Sequence, residues 1–127
     1  MIRAVALWLC LATPLFAAEV GVPVGDGLAN AIAGAKPGDV LILAPGLHPG
    51  PVVIDKPLTL DGLGKARIDA GGHGSVIKVT GEDVVIRGLT LTGSGSSHQD
   101  IDSGVQMTRE ARRVLVENNR IEGNLYG

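Results

Sequence analysis

Between Val76 and Gly127 the chain carries nearly the same pattern twice. The first copy reads Ile77-Lys-Val79, then Val84-Val-Ile86-Arg-Gly88-Leu-Thr-Leu91-Thr-Gly93. The second reads Val105-Gln-Met107, then Val114-Leu-Val116-Glu-Asn118-Asn-Arg-Ile121-Glu-Gly123. Met107 thus answers Val79, and Val116 answers Ile86, one repeat later. A looser copy, Leu58-Thr-Leu60-Asp-Gly62, precedes Val84-Val-Ile86-Arg-Gly88 by a slightly shorter offset. Self-similarity at a period of about 20–50 residues marks a stack of repeats, each burying its apolar face against the next.

The runs within each copy alternate. Leu58, Leu60, Ile77, Val79, Leu89, Leu91, Val105, Met107, Val114 and Val116 are apolar, and all but one of the residues between them are polar. Successive side chains of a strand point to opposite faces, so these are short half-buried strands with Met107 among the inward positions. Gly62-Leu-Gly64, Gly71-Gly72, Gly93-Ser-Gly95 and Asn118-Asn119 separate the runs and mark sharp corners. An antiparallel sandwich needs hairpin turns and longer strands. A unit about three mini-strands long, recurring one repeat later, favours a parallel β-helix. Asn118 and Asn119 suit corners where amides hydrogen-bond to the next turn.

Arg3, the apolar stretch Ala4–Phe16 and Ala17-Ala18 read as a secretory signal peptide over residues 1–18. Its apolar part is too short for a transmembrane span, and no other stretch is long enough. Cys10 lies inside it behind Leu9, a setting that does not fit lipidation, so the mature chain carries no cysteine. Trp8 and Phe16 leave with it, and Tyr126 remains as the mature aromatic residue. The net charge moves from −2 to −3 as Arg3 is lost. No basic patch interleaves with aromatics, which argues against nucleic acid. The expected location is the periplasm.

Residues 19–38 form an N-terminal segment. Within it Leu28, Ala31, Ile32 and Ala35 have helical spacing, with Asp26 as N-cap and Lys36-Pro37-Gly38 as the stop. This short helix is expected to cap the first coil. Residues 39–127 are then the first coils of the β-helix, with Val40–Leu43 as the first strand and Ala44–Gly50 as a loop. Gly93–Gly104 is a polar excursion that lengthens one turn. The sequence stops at Asn124-Leu-Tyr-Gly127 in mid-repeat, which predicts a C-terminally truncated solenoid whose last coil frays or self-associates.

Several segments resemble one family when read in order. They are Pro37-Gly-Asp-Val-Leu-Ile-Leu-Ala-Pro-Gly46, Gly50-Pro-Val-Val-Ile-Asp-Lys-Pro-Leu-Thr-Leu60, Asp83-Val-Val-Ile-Arg-Gly-Leu-Thr-Leu-Thr-Gly-Ser-Gly95 and Asn119-Arg-Ile-Glu-Gly-Asn-Leu-Tyr-Gly127. Together they are similar to the N-terminal part of the NosD family, periplasmic accessory proteins of nitrous oxide reductase maturation. The Ala-Pro-Gly and Asp-Lys-Pro-Leu-Thr-Leu stretches are shared with other right-handed β-helices of the carbohydrate-binding and sugar-hydrolase group. The resemblance implies a right-handed parallel β-helix acting beside an ABC-type ATPase and permease, with a copper chaperone or the reductase as further partners. It implies no intrinsic cofactor; copper is possible through the family's role in copper-centre assembly. Family members are several times longer than this chain.

His48, His73 and His98 are evenly spaced, at an interval close to one repeat. Stacked on one face, with Met107, they are candidate copper ligands, since reduced copper accepts imidazole and thioether donors. The alternative is three solvated turn residues among Gly, Pro and Ser. Glu82, Asp83, Asp100 and Asp102 offer carboxylates, and glycoside hydrolysis uses two of them about 5–10 Å apart. Their turn settings favour solvation instead. Gly62-Leu-Gly64-Lys65 and Gly93-Ser-Gly95 do not complete a phosphate-loop fingerprint.

Three functions compete. One is a non-enzymatic periplasmic scaffold for copper-centre assembly. The second is a polysaccharide-active lyase or epimerase, which needs aromatic rings to stack on sugars. The third is an adhesin-type solenoid, which usually has many more repeats. The first accounts for the particular segments.

Overall fold

The computed structural model describes residues 17–127. The leader reading covers residues 1–18; residues 1–16 of it, with Trp8, Cys10 and Phe16, lie outside the described residues.

The alternating runs form ten short strands, every one paired in parallel with its neighbour one turn away. Strand β1 is Glu19–Val22, and helix α1 spans Leu28–Gly34. Strands β2 (Val40–Leu43), β3 (Gly46–Pro49) and β4 (Val52–Ile54) make the first full turn. Strand β5 (Leu58–Asp69), bent in its middle, and β6 (Ile77–Val79) make the second. The third consists of β7 (Val84–Thr92), bent at Gly88, and β8 (Val105–Met107). Strands β9 (Leu115–Glu117) and β10 (Arg120–Ile121) begin the fourth. The result is a parallel β-solenoid of about four turns with three faces. The first face stacks β1, β2, the first half of β5, the first half of β7, and β9. The second stacks β3, the second halves of β5 and β7, and β10. The third stacks β4, β6 and β8.

Parallel register turns the alternation into continuous columns of apolar side chains. Leu41, Leu60, Ile86 and Val116 align on the first face. Val52, Ile77 and Val105 align on the third, beside Ile54, Val79 and Met107. Most are fully buried, each contributing about 1.5–3 kcal/mol. Met107 keeps the inward register but is 53% exposed, because no further turn lies on it among the described residues. Its expected place in the core is therefore corrected.

The N-terminal end departs from the sequence reading in three ways. The first strand is β1, not Val40–Leu43, and it adds a rung to the first face. Its four residues alternate, but they precede the repeats and run straight into Pro23. Helix α1 buries Leu28 and Ile32 against the core as a cap should. Its N-cap, however, is Gly27 with no side-chain cap bond; Asp26 sits one residue too early. The other helix end is held by Lys56, whose Nζ donates to the Ala33 and Ala35 carbonyls at 3.0 and 2.9 Å. Finally, the segment read as a loop contains β3, which pairs with β5. Asp39 locks this end together, accepting from the Ala18 and Lys36 backbone N–H groups at 3.0 and 2.9 Å. Those two bonds, the Ala18 bond foremost, hold its carboxyl below the ordinary value.

Candidate functional site: the corner between the first two faces

The three candidate histidines occupy different environments. His48 lies on β3 and is fully buried, in an inward column with Ile68, Leu91 and Ile121. Its Nε2 lies 2.8 Å from the Ala44 carbonyl, which only accepts, so Nε2 carries the hydrogen. Nδ1 is buried with no partner. His73 is exposed in the Gly71–Gly74 turn. His98 is exposed too, its Nδ1 lying 2.8 Å from the Tyr126 hydroxyl and its ring edge-on to the tyrosine ring at 5.8 Å. The even interval between the histidines does not track the solenoid, because its turns are unequal. The third face advances by that same interval, from Val52 to Ile77, whereas the second takes a shorter step, from Gly46 to Ala66. His48 therefore stacks on Ile68. Among the described residues, no three His, Cys, Asp or Glu side chains are grouped to hold a metal ion.

The carboxylates are engaged locally. Glu82 and Asp83 pair with Arg113 at 2.9 and 2.7 Å. The Arg113 side chain, through its hydrogen bond above all, lowers the Asp83 carboxyl from its usual value. Asp100 accepts from the Ser97 hydroxyl at 2.9 Å. Asp102 is not the solvated turn residue that its surroundings suggest: it is buried and accepts from the Ser97 N–H at 2.9 Å. With Ser75 and Ser103, also buried, it forms the polar floor of the Gly93–Gly104 excursion.

The more distinctive surface is the corner where the first face meets the second. The second turn makes it with Gly62-Leu63-Gly64-Lys65, opposite the single Gly88 of the third, and the register shifts there between Asp61 and Ala66. The extra residues stand out as a ridge between two grooves. On one side Leu63 joins Val22, Pro23, Leu43, Ala44 and Pro45 around an apolar groove of about 420 Å³. On the other, Gly64 joins Thr90, Asn118, Asn119 and Arg120 around a polar groove of about 390 Å³.

The ridge is held rigidly. Asp61 Oδ1 accepts from the Leu63 N–H at 2.8 Å, and Arg87 Nε donates to Asp61 Oδ2 at 2.9 Å. Burial works to raise the Asp61 carboxyl, but the Leu63 N–H and the Arg87 guanidinium outweigh it and hold it below the usual carboxylate value. The opposite groove wall is tied by the His48–Ala44 bond. Reading the sequence for catalytic side chains passes over Leu63, Asp61 and Arg87. Their signal is an insertion: Asp61-Gly62 aligns with Arg87-Gly88, and the residues after Gly62 have no counterpart after Gly88.

Asn119 and Asn124 supply the amide bonds expected at the corners, directed to the preceding turn. Asn119 accepts from the Leu89 N–H at 3.0 Å and donates to the Ile86 carbonyl at 2.8 Å. Asn124 does the same with the Ser94 N–H and the Leu91 carbonyl, each at 3.0 Å. Asn118 instead supplies a left-handed backbone turn at φ +55°.

Comparison with known proteins returns two proteins described as "Probable ABC transporter binding protein NosD". The one from Pseudomonas aeruginosa is 31% identical over 85 residues, 67% of this chain and 20% of that protein. The one from Stutzerimonas stutzeri is 33% identical over 85 residues, with the same two shares. No family model and no solved structure matches. The chain spans about a fifth of the length of these curated relatives, and over two thirds of its own length it is NosD-like.

Proposed function

We propose that the chain is a periplasmic, non-enzymatic accessory protein that works with an ABC-type transporter in assembling the copper centre of nitrous oxide reductase. The similarity to NosD over 85 residues carries this reading. A parallel solenoid suits such work, since its rungs give a rigid lateral surface on which partners are positioned. Copper is cargo in this reading. Among the candidate donors, His73, His98 and Met107 are exposed to it and His48 is not. The partners are the transporter's ATPase and permease, with a copper chaperone or the reductase receiving the metal.

Deletion of the gene in its host tests the proposal. The expected result is a reductase that accumulates without its full copper content and regains it when the gene is restored. A fully loaded reductase in the deletion strain, with lost growth on a polysaccharide, contradicts the proposal and favours the polysaccharide-active alternative.

A further inference from the structure

Leu63 is the most exposed large apolar side chain among the described residues, at 63%, and its backbone is left-handed at φ +52°. Both properties oppose stability: an L-residue there crowds its Cβ, and an exposed leucine forgoes burial. The corner does not require it, because the third turn makes the same corner with Gly88 alone. Yet the conformation is fastened by Asp61 and Arg87. Gly88 also packs so closely beneath it that an added Cβ would lie 3.0 Å from the Leu63 nitrogen. A strained residue fixed by its surroundings is a reason to look for a function.

Leu63 forms one wall of the apolar groove. Val24, 52% exposed and packed over Gly46, and Leu47, 48% exposed, extend the apolar surface past it. The rim is basic. Lys65 and Arg67 are exposed, Arg67 lies beside Leu47 in register, and neither is in an ion pair among the described residues. On the same strand Asp61 is paired with Arg87, whereas Asp69, two residues beyond Arg67, accepts from the Gly71 N–H and keeps its charge.

We infer that this groove docks a short segment of a partner protein in which apolar side chains are flanked by acidic ones. Apolar residues enter against Leu63 and Pro45, and the acids meet Lys65 and Arg67. A second copy of this chain is a poorer occupant, since it would bring the same basic rim against this one. The inference does not depend on the transporter-associated role.

Two synthetic peptides probe the site, each with a leucine–valine centre, one flanked by glutamates and the other by lysines. The expected result is binding of the glutamate peptide at least about tenfold tighter than the lysine peptide. NMR shift changes should centre on Val24, Leu47 and Leu63. Leu63→Ser should weaken binding about tenfold with the melting temperature kept, and the double variant Lys65→Glu, Arg67→Glu should reverse the peptide preference. Failure of both peptides to bind, equal affinity for them, or shifts elsewhere overturns the inference. So does a dimer that forms at the same concentrations and is lost in Leu63→Ser, which assigns the groove to a second copy.

Discussion

The second, third and fourth turns make the corner between the first and second faces by three different chemistries. The third turn uses Gly88, left-handed at φ +66° and close-packed. The fourth uses Asn118, left-handed at φ +55°, followed by Asn119, whose side chain bonds the backbone on both sides of Gly88. The second uses Gly62–Lys65, longer and strained, and projects a leucine. Gly88 and the asparagine pair are economical solutions to one geometric demand, a sharp bend. The ridge meets the same demand while carrying an extra exposed apolar side chain. Stacking alone therefore does not account for it.

The largest effect expected from breaking this comparison is at Gly62. An added Cβ there would lie 2.5 Å from the Gly88 carbonyl oxygen, and backbone on the neighbouring turn cannot yield. Gly62→Ala should cost about 3 kcal/mol in a denaturant titration. An unchanged midpoint would mean that the two corners are not in close contact.

Asn119→Ala comes next. It leaves the Leu89 N–H and the Ile86 carbonyl without partners and should cost about 2 kcal/mol. Asn118→Gly, beside it, should be neutral or slightly stabilising, because glycine takes φ +55° without strain. A larger loss at Asn118 than at Asn119 would reverse the roles assigned to the pair.

Asp61 gives a pH-dependent test. Its folded carboxyl titrates below the unfolded value of 3.8, so the folded state favours the ionised form. That contribution is fully present above the unfolded value and is lost as pH falls through the lower folded one. Asp61→Asn should therefore be less stable than the parent near neutrality, with the gap narrowing below pH 3.8. Asp39 and Asp83 shift in the same direction, so the variant should keep part of the acid sensitivity. A gap that is constant over pH would show that the ion pair is not what holds the ridge.

The β-solenoid and its core were legible because both follow from alternation and period. Leu60 and Ile86, which the looser repeat places in equivalent positions, are neighbours on the first face. Asp61, Arg87 and Glu117 also fall in one outward column, but the Asp61–Arg87 pair emerges only once the register is known. What escaped was local. Strand β1 lies ahead of the repeats, and β3 lay hidden in Pro- and Gly-rich sequence. His48 occupies an aliphatic slot because unequal corner lengths reset the register. The ridge was visible only as residues without a counterpart one repeat later, and its meaning depends on the grooves that stacking creates beside it.

One stabilising substitution is the most telling about the corner. Leu63→Gly relieves a left-handed leucine and should raise stability by about 1 kcal/mol. The same variant should lose binding of the glutamate-flanked peptide. A more stable protein that no longer binds is what a leucine held out for a partner predicts. A less stable protein, or one that binds the peptide as before, would contradict it.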